Sequence, residues 1–152
     1  MDQQNEDGSW PYAYGDKRTW VDNFHTGYVL DCLDEYIRLT DDGQFIPSRD
    51  KGFSYYRSNF FEDGDTPKYY HSSRYPLDMT SAAQSIMTLA RFGHSAEAEN
   101  VAIKVIGLMQ DPEGFFYYQR YPGHVMKTSF MRWSNAWMFA GLSYLLYERA
   151  KP

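Results

Sequence analysis

The chain has 152 residues, a formal net charge of −5 and one cysteine, Cys32. A single cysteine excludes an intramolecular disulfide and a multi-cysteine zinc site. An acidic balance without a Lys/Arg block excludes the basic footprint of a nucleic-acid binder.

The opening MDQQNEDGS is polar. No apolar run approaches the roughly 18 residues that span a bilayer, so a cytoplasmic chain without a transmembrane segment is expected. Aromatic residues make up 18%. Such residues dominate cores and interfaces and also line sugar and isoprenoid sites.

Helix one is predicted from about Asp22 to Thr40. Asp22 can accept orphan backbone N–H groups as an N-cap, and Val29, Cys32, Leu33, Tyr36 and Ile37 recur at helical spacing. Asp41-Asp42-Gly43 breaks it. Helix two covers about Phe45 to Phe60, and Gly52 inside it predicts a close neighbour, because glycine there costs about 1 kcal/mol against alanine. Asp63-Gly64 ends that hairpin. Helix three follows the cap Asp78, and its Ala82-Ala83 pair suits tight packing. Phe92-Gly93-His94 turns the chain into helix four, capped by Ser95 and stopped by Asp111-Pro112. The segment from Phe115 to Arg132 reads as an irregular or extended loop, and helix five runs from about Asn135 to Ala150.

These elements repeat. Asp7-Gly8 precedes Asp22 by the same fifteen residues that separate Asp63-Gly64 from Asp78, and a looser third copy opens at Asp111-Pro-Glu-Gly114. The units span about 7–62, 63–110 and 111–152. A period near fifty residues with helices in it predicts helical hairpins in one array, helices one, three and five being equivalent. Two and a half hairpins expose a raw edge. The chain 1–152 then reads as one domain or the C-terminal part of a longer one, with missing upstream units or self-association as the ways to cover the edge.

Gln4-Asn-Glu-Asp-Gly8-Ser-Trp10 and Gln110-Asp-Pro-Glu-Gly114-Phe-Phe116 both read Q-x3-G followed by x and a ring. The pattern resembles the QW-type repeat of the squalene cyclase and protein prenyltransferase superfamily, which implies an all-α fold, an α/α toroid, here partial. The runs DGSWPYAYGDKRTWVDNFHTGY and RWSNAWMF resemble toroid proteins linked to polysaccharide biosynthesis. That resemblance implies a sugar chain or polyprenyl-linked sugar as partner. Asp22-x-x-His25-Thr26-x-Tyr28 also fits a prenyltransferase zinc motif, but the other ligands of that motif would have to come from a preceding unit. Leu30-Asp31-Cys32-Leu33-Asp34 lacks the acidic run of a protonating cyclase. No metal and no cofactor are therefore expected. The toroid is shared with glycoside hydrolases and lyases, yet no carboxylate pair stands out, because the leading aspartates read as caps.

The repeats supply an internal control. Asp22, Asp78 and Asn135 occupy one place and read as N-caps. Arg18 and Arg74 also correspond, either pairing with carboxylates or forming a rim for anionic sugar or diphosphate groups. His25 and Asp31 are unique to the first unit. His25, Tyr28 and Asp31 are placed together along helix one as the catalytic candidates, with His25 as general acid/base or else a hydrogen-bonded helix-start histidine. His71 on a loop, with Tyr70, Trp20 and Trp133, completes the expected binding set. Whether the protein is an enzyme, a non-catalytic self-associating module or an isoprenoid enzyme stays open at this level.

Overall fold

A computed structural model describes residues 3–15 and 17–151. Among them are five α-helices: α1 (Asn23–Thr40), α2 (Ile46–Asn59), α3 (Met79–Arg91), α4 (Ser95–Met109) and α5 (Trp137–Ala150). Asp22 and Asp78 cap α1 and α3, each accepting the backbone N–H three residues on, at 2.8 and 2.9 Å. Asp41 takes the left-handed conformation (φ 56°) that ends α1, and Gly93 (φ 80°) turns α3 into α4. Helix α4 starts at Ser95 after His94, which makes no side-chain cap.

The expectation of an all-α fold, a partial toroid, is overturned. Two small antiparallel sheets accompany the helices. β1 (Phe61–Glu62) pairs with β2 (Thr66–Pro67) around Asp63-Gly64. β3 (Leu77–Asp78), β4 (Gln119–Tyr121) and β5 (His124–Met126) form the second, with Asp78 opposite Gln119 and Gln119 opposite Met126. The physical reason lies in the aromatic segments between units. They cross the helix ends in extended form, and their backbone groups need partners. Within the stretch from Phe115 to Arg132, read as an irregular or extended loop, β4 and β5 thus form a hairpin turned at Gly123 (φ 72°).

The helices lie in two rows. α1, α3 and α5 stand side by side, with α2 against α1 and α4 against α3 and α5. Helix α3 is the axis, and Ala82, Ala83, Ile86, Leu89 and Ala90 are all buried in the main core with Val101, Val105, Met109, Met138 and Leu145. A smaller core gathers Val21, Leu30, Tyr55, Tyr56 and Phe60. Close approach is bought with small residues. A Cβ on Gly27 of α1 would lie 2.8 Å from Gln84 Cγ, and one on Gly141 of α5 would lie 2.9 Å from the Ala83 carbonyl oxygen.

The Q-x3-G pattern has a concrete meaning. Gln4 Nε2 donates to the Gly8 carbonyl at 2.9 Å, and Gln110 Nε2 donates to the Gly114 carbonyl at 3.0 Å. Both glycines sit at φ near 98° (98° and 97°), where a side chain is strained. The ring of Trp10 packs onto Gly52 of α2.

Helix α5 begins differently from α1 and α3. A π-helical turn, Met131–Ala136, leads into it. Asn135 is therefore not an N-cap. Its Oδ1 accepts the Phe116 N–H at 2.8 Å and its Nδ2 donates to Ser129 Oγ at 2.7 Å, which fastens the third aromatic segment to the helix start.

Candidate functional site

Because α1, α3 and α5 run alike, their N-termini, two of them capped by Asp22 and Asp78, share one rim of the molecule. The aromatic segment of each following unit crosses that rim. Asn23 N–H donates to the Tyr69 carbonyl at 2.9 Å, and Met79 N–H donates to the Tyr118 carbonyl at 3.2 Å. Tyr69 is thereby set beside Asp22, and Tyr118 beside Asp78. The π-turn brings Trp133 to the same rim, where its carbonyl accepts Thr80 Oγ1 at 2.6 Å. Between them lies a cleft of about 160 Å³, lined by Asp22, His25 and Phe24 of the first unit and Asp78, Thr80 and Ser81 of the second. Tyr69, Tyr118 and Trp133 complete the wall.

The chemistry centres on Asp22 and His25. Both carboxylate oxygens of Asp22 lie 2.9 Å from His25 Nδ1. Asp22 is buried, while the imidazole is 50% exposed. A carboxylate only accepts, so in the neutral imidazole Nδ1 carries the proton and Nε2 the lone pair. The ring is held edge-on by Tyr12 (4.6 Å) and Phe24 (5.2 Å). A buried acid that fixes the tautomer of a half-exposed histidine is the arrangement of an oriented general base.

Asp78 is the second carboxylate. Its Oδ1 caps Ser81, and its Oδ2 accepts Gln119 Nε2 at 2.8 Å. Burial raises its pKa above the usual carboxylate range against those hydrogen bonds, so it holds a proton more readily than a surface aspartate. Burial likewise pushes the Tyr69 and Tyr118 phenols upward, keeping them neutral donors.

The residues expected from sequence are distributed unevenly. His25 and Trp133 line the cleft. Trp20 stacks on Tyr12 at 4.8 Å, and the Arg18 guanidinium lies 5.6 Å from the Tyr12 ring centre, so both flank the His25 side of the rim. Tyr70 pairs its backbone with Asp22. Arg74 is ion-paired with Glu62 at 2.7 Å. His71 bonds through Nδ1 to Tyr55 of α2, a contact that ties its loop to the outer row. Tyr28 is exposed and stacks against Phe24 at 6.2 Å. Asp31 does not join His25. It faces α3, accepting Gln84 Nε2 at 2.8 Å, near Arg91.

From sequence Asp22 and Asp78 read as caps, not as an orienting acid and a second carboxylate, and Thr80 was not singled out. The signal available was that equivalent helices start at one end of a row, which brings Asp22 and Asp78 to one rim. A larger hollow, about 740 Å³, lies elsewhere, between α2 and α4. Its cations Arg57 and Lys104 are matched by Glu97 and Asp65, so the chemistry favours the smaller cleft. Among the described residues no three His, Cys, Asp or Glu side chains are grouped to hold a metal ion, and no helix is long and apolar enough to cross a membrane. No protein-family model, curated protein or solved structure matches the chain.

Proposed function

We propose that this is a cytoplasmic protein of polysaccharide metabolism that binds a sugar chain, or a polyprenyl-linked sugar, at the helix-cap rim and acts on it by acid/base chemistry. The observation that carries this reading is the Asp22–His25 pair opening on a cleft walled by Tyr69, Tyr118 and Trp133. Sugar rings pack their C–H faces on aromatic rings, while phenols, Thr80 and carboxylates take their hydroxyls. A volume near 160 Å³ is below the roughly 300–1,000 Å³ of drug-sized sites and suits a single ring or chain end. His25 Nε2 is the base. Asp78, which burial biases toward its protonated form, is the acid.

The test is titration of ¹⁵N-labelled protein with a panel of neutral and acidic oligosaccharides, followed by assay for new reducing ends or unsaturated products. Trp133→Ala should weaken binding at least tenfold. His25→Ala should bind and not turn over. A panel without a single binder, or binding that ignores Trp133→Ala, removes the reading.

A second reading, a self-associating module, is favoured by the apolar side chains Phe139, Leu146 and Met131 exposed on and before α5.

A further inference from the structure

The two seams of the α1, α3, α5 row are close approaches in one register. At α1/α3, Gly27 meets Gln84 and Thr88: an added Cβ would lie 2.8 Å from Gln84 Cγ and 3.1 Å from Thr88 Oγ1. At α3/α5, Ala83 meets Gly141 at 2.9 Å by the same measure. Gly27 and Ala83 stand at the same distance from their caps Asp22 and Asp78. Gln84 and Gly141 match each other in the same register, the latter counted from Asn135. Each seam therefore sets a small residue of one inner helix against the next helix one position further along.

Carried on to α5, the register makes Ala140 the counterpart of Gly27 and Ala83. Ala140 is exposed, with Tyr147 two turns on along the same face and Phe139 (75% exposed) next to it in sequence. Carried back to α1, it makes Tyr28 the counterpart of Gln84 and Gly141, and Cys32 the counterpart of Thr88. Tyr28 is 52% exposed, and Cys32, Tyr36 and Leu39 continue that face. Among the described residues, two exposed faces thus carry the two halves of the α1/α3 seam: a small residue beside Tyr147 on α5, and a large side chain with apolar neighbours on α1.

We propose that these faces join between copies, α5 of one chain docking on α1 of a second, with Ala140 against Tyr28 and Cys32. The occupant is a second copy because the complementary face, in matching register, is carried by the same chain, and the contact continues a register the fold already uses twice. Two different patches meet, so the contact is head-to-tail. Such contacts close a dimer or a larger ring where their rotation closes, and otherwise extend as an open chain. The proposal does not depend on the sugar-binding reading.

Light scattering should give a dimeric or larger mass at high micromolar concentration, and the double variant Ala140→Glu/Tyr147→Glu should be monomeric with unchanged circular dichroism. A monomeric wild type overturns the proposal. So does a double variant that is folded and still associated. Ala140→Cys should, on mild oxidation, give a covalent dimer through Cys32 of one copy and position 140 of the other, and Cys32→Ser in that background should abolish it. Cross-linking that survives Cys32→Ser means that α5 meets α5, and it overturns the head-to-tail register.

Discussion

Asp22 holds His25 at two points: Oδ1 accepts the His25 backbone N–H at 2.8 Å, and both carboxylate oxygens lie 2.9 Å from Nδ1. One side chain thus starts α1 and sets the tautomer of the ring at its rim. The two duties separate by substitution. Asn caps a helix about as well as Asp, so Asp22→Asn should change stability by only a few tenths of a kcal/mol, while Asp22→Ala should cost about 1–2 kcal/mol. In Asp22→Asn the amide nitrogen can donate to Nδ1, which moves the ring proton to Nε2. Nitrogen shifts of His25 report the tautomer directly. An unchanged tautomer would show that Asp22 serves α1 alone.

Asp31 carries the clearest pH dependence. Burial pushes its carboxyl up to about 6, against the pull of Arg91 and the Thr88 and Gln84 hydrogen bonds. Its Oδ1 and Arg91 Nε are buried 3.7 Å apart, neither with a hydrogen-bond partner. A raised folded pKa means the native state binds the proton more tightly than the unfolded chain. This group therefore lowers stability as pH rises from about 4 to 6, by at most about 3 kcal/mol. Glu35 acts oppositely and lower down: Arg38, then Arg91, hold it to about 2, so its contribution is lost only as pH falls below the ordinary carboxylate range. Denaturant melts from pH 4 to 7 should show the wild type losing stability relative to Asp31→Asn. Parallel curves would contradict the assignment.

The helices were legible because their signals are long and redundant. An apolar stripe over four turns, an aspartate at the start and a glycine at the end agree on α1 and α3. The strands were not, because each is two or three residues long, too short for alternation to register. Asn135 failed as a cap because a π-turn reads like the turn before a helix. Asp31 was separable from His25 in principle. Six residues advance about 600° around a helix, which leaves the two on different sides. Asp22 and Asp78 were hidden by their own adequacy as caps. A residue fully explained by one local job gives no signal of a second, and only the placement of Tyr69 and Tyr118 across the rim reveals it.

Gly52 exists for Trp10. An ideal Cβ at Gly52 would lie 2.2 Å from Trp10 Cη2 and 2.4 Å from Cζ3. Alanine would gain up to about 1 kcal/mol in helix propensity, but the ring would have to leave the face of α2, and overpacking of this kind costs about 1–3 kcal/mol. Gly52→Ala should therefore be net destabilising in thermal melts. In a Trp10→Ala background the same change should stabilise. If Gly52→Ala stabilises the wild type, the Trp10 contact is not what fixes glycine there.

Tyr56 joins three helices through one hydroxyl. Its ring is fully buried on α2. Its OH donates to Asn23 Oδ1 of α1 at 2.7 Å and lies 3.1 Å from Ser85 Oγ of α3, which also donates to Asn23 Oδ1 at 3.0 Å. Asn23 Nδ2 completes the set on the Lys68 carbonyl at 2.9 Å. Tyr56→Phe keeps the ring and leaves Asn23 Oδ1 to Ser85 alone, so it should cost about 1–2 kcal/mol. Ser85→Ala alone should cost less, since Tyr56 still serves Asn23. The double variant strips Asn23 Oδ1 of both donors and should cost more than the sum, because a buried acceptor is then left unpaired. Chemical denaturation of the four proteins measures that excess. Simple additivity would mean that the three side chains act independently and that Asn23 finds another donor.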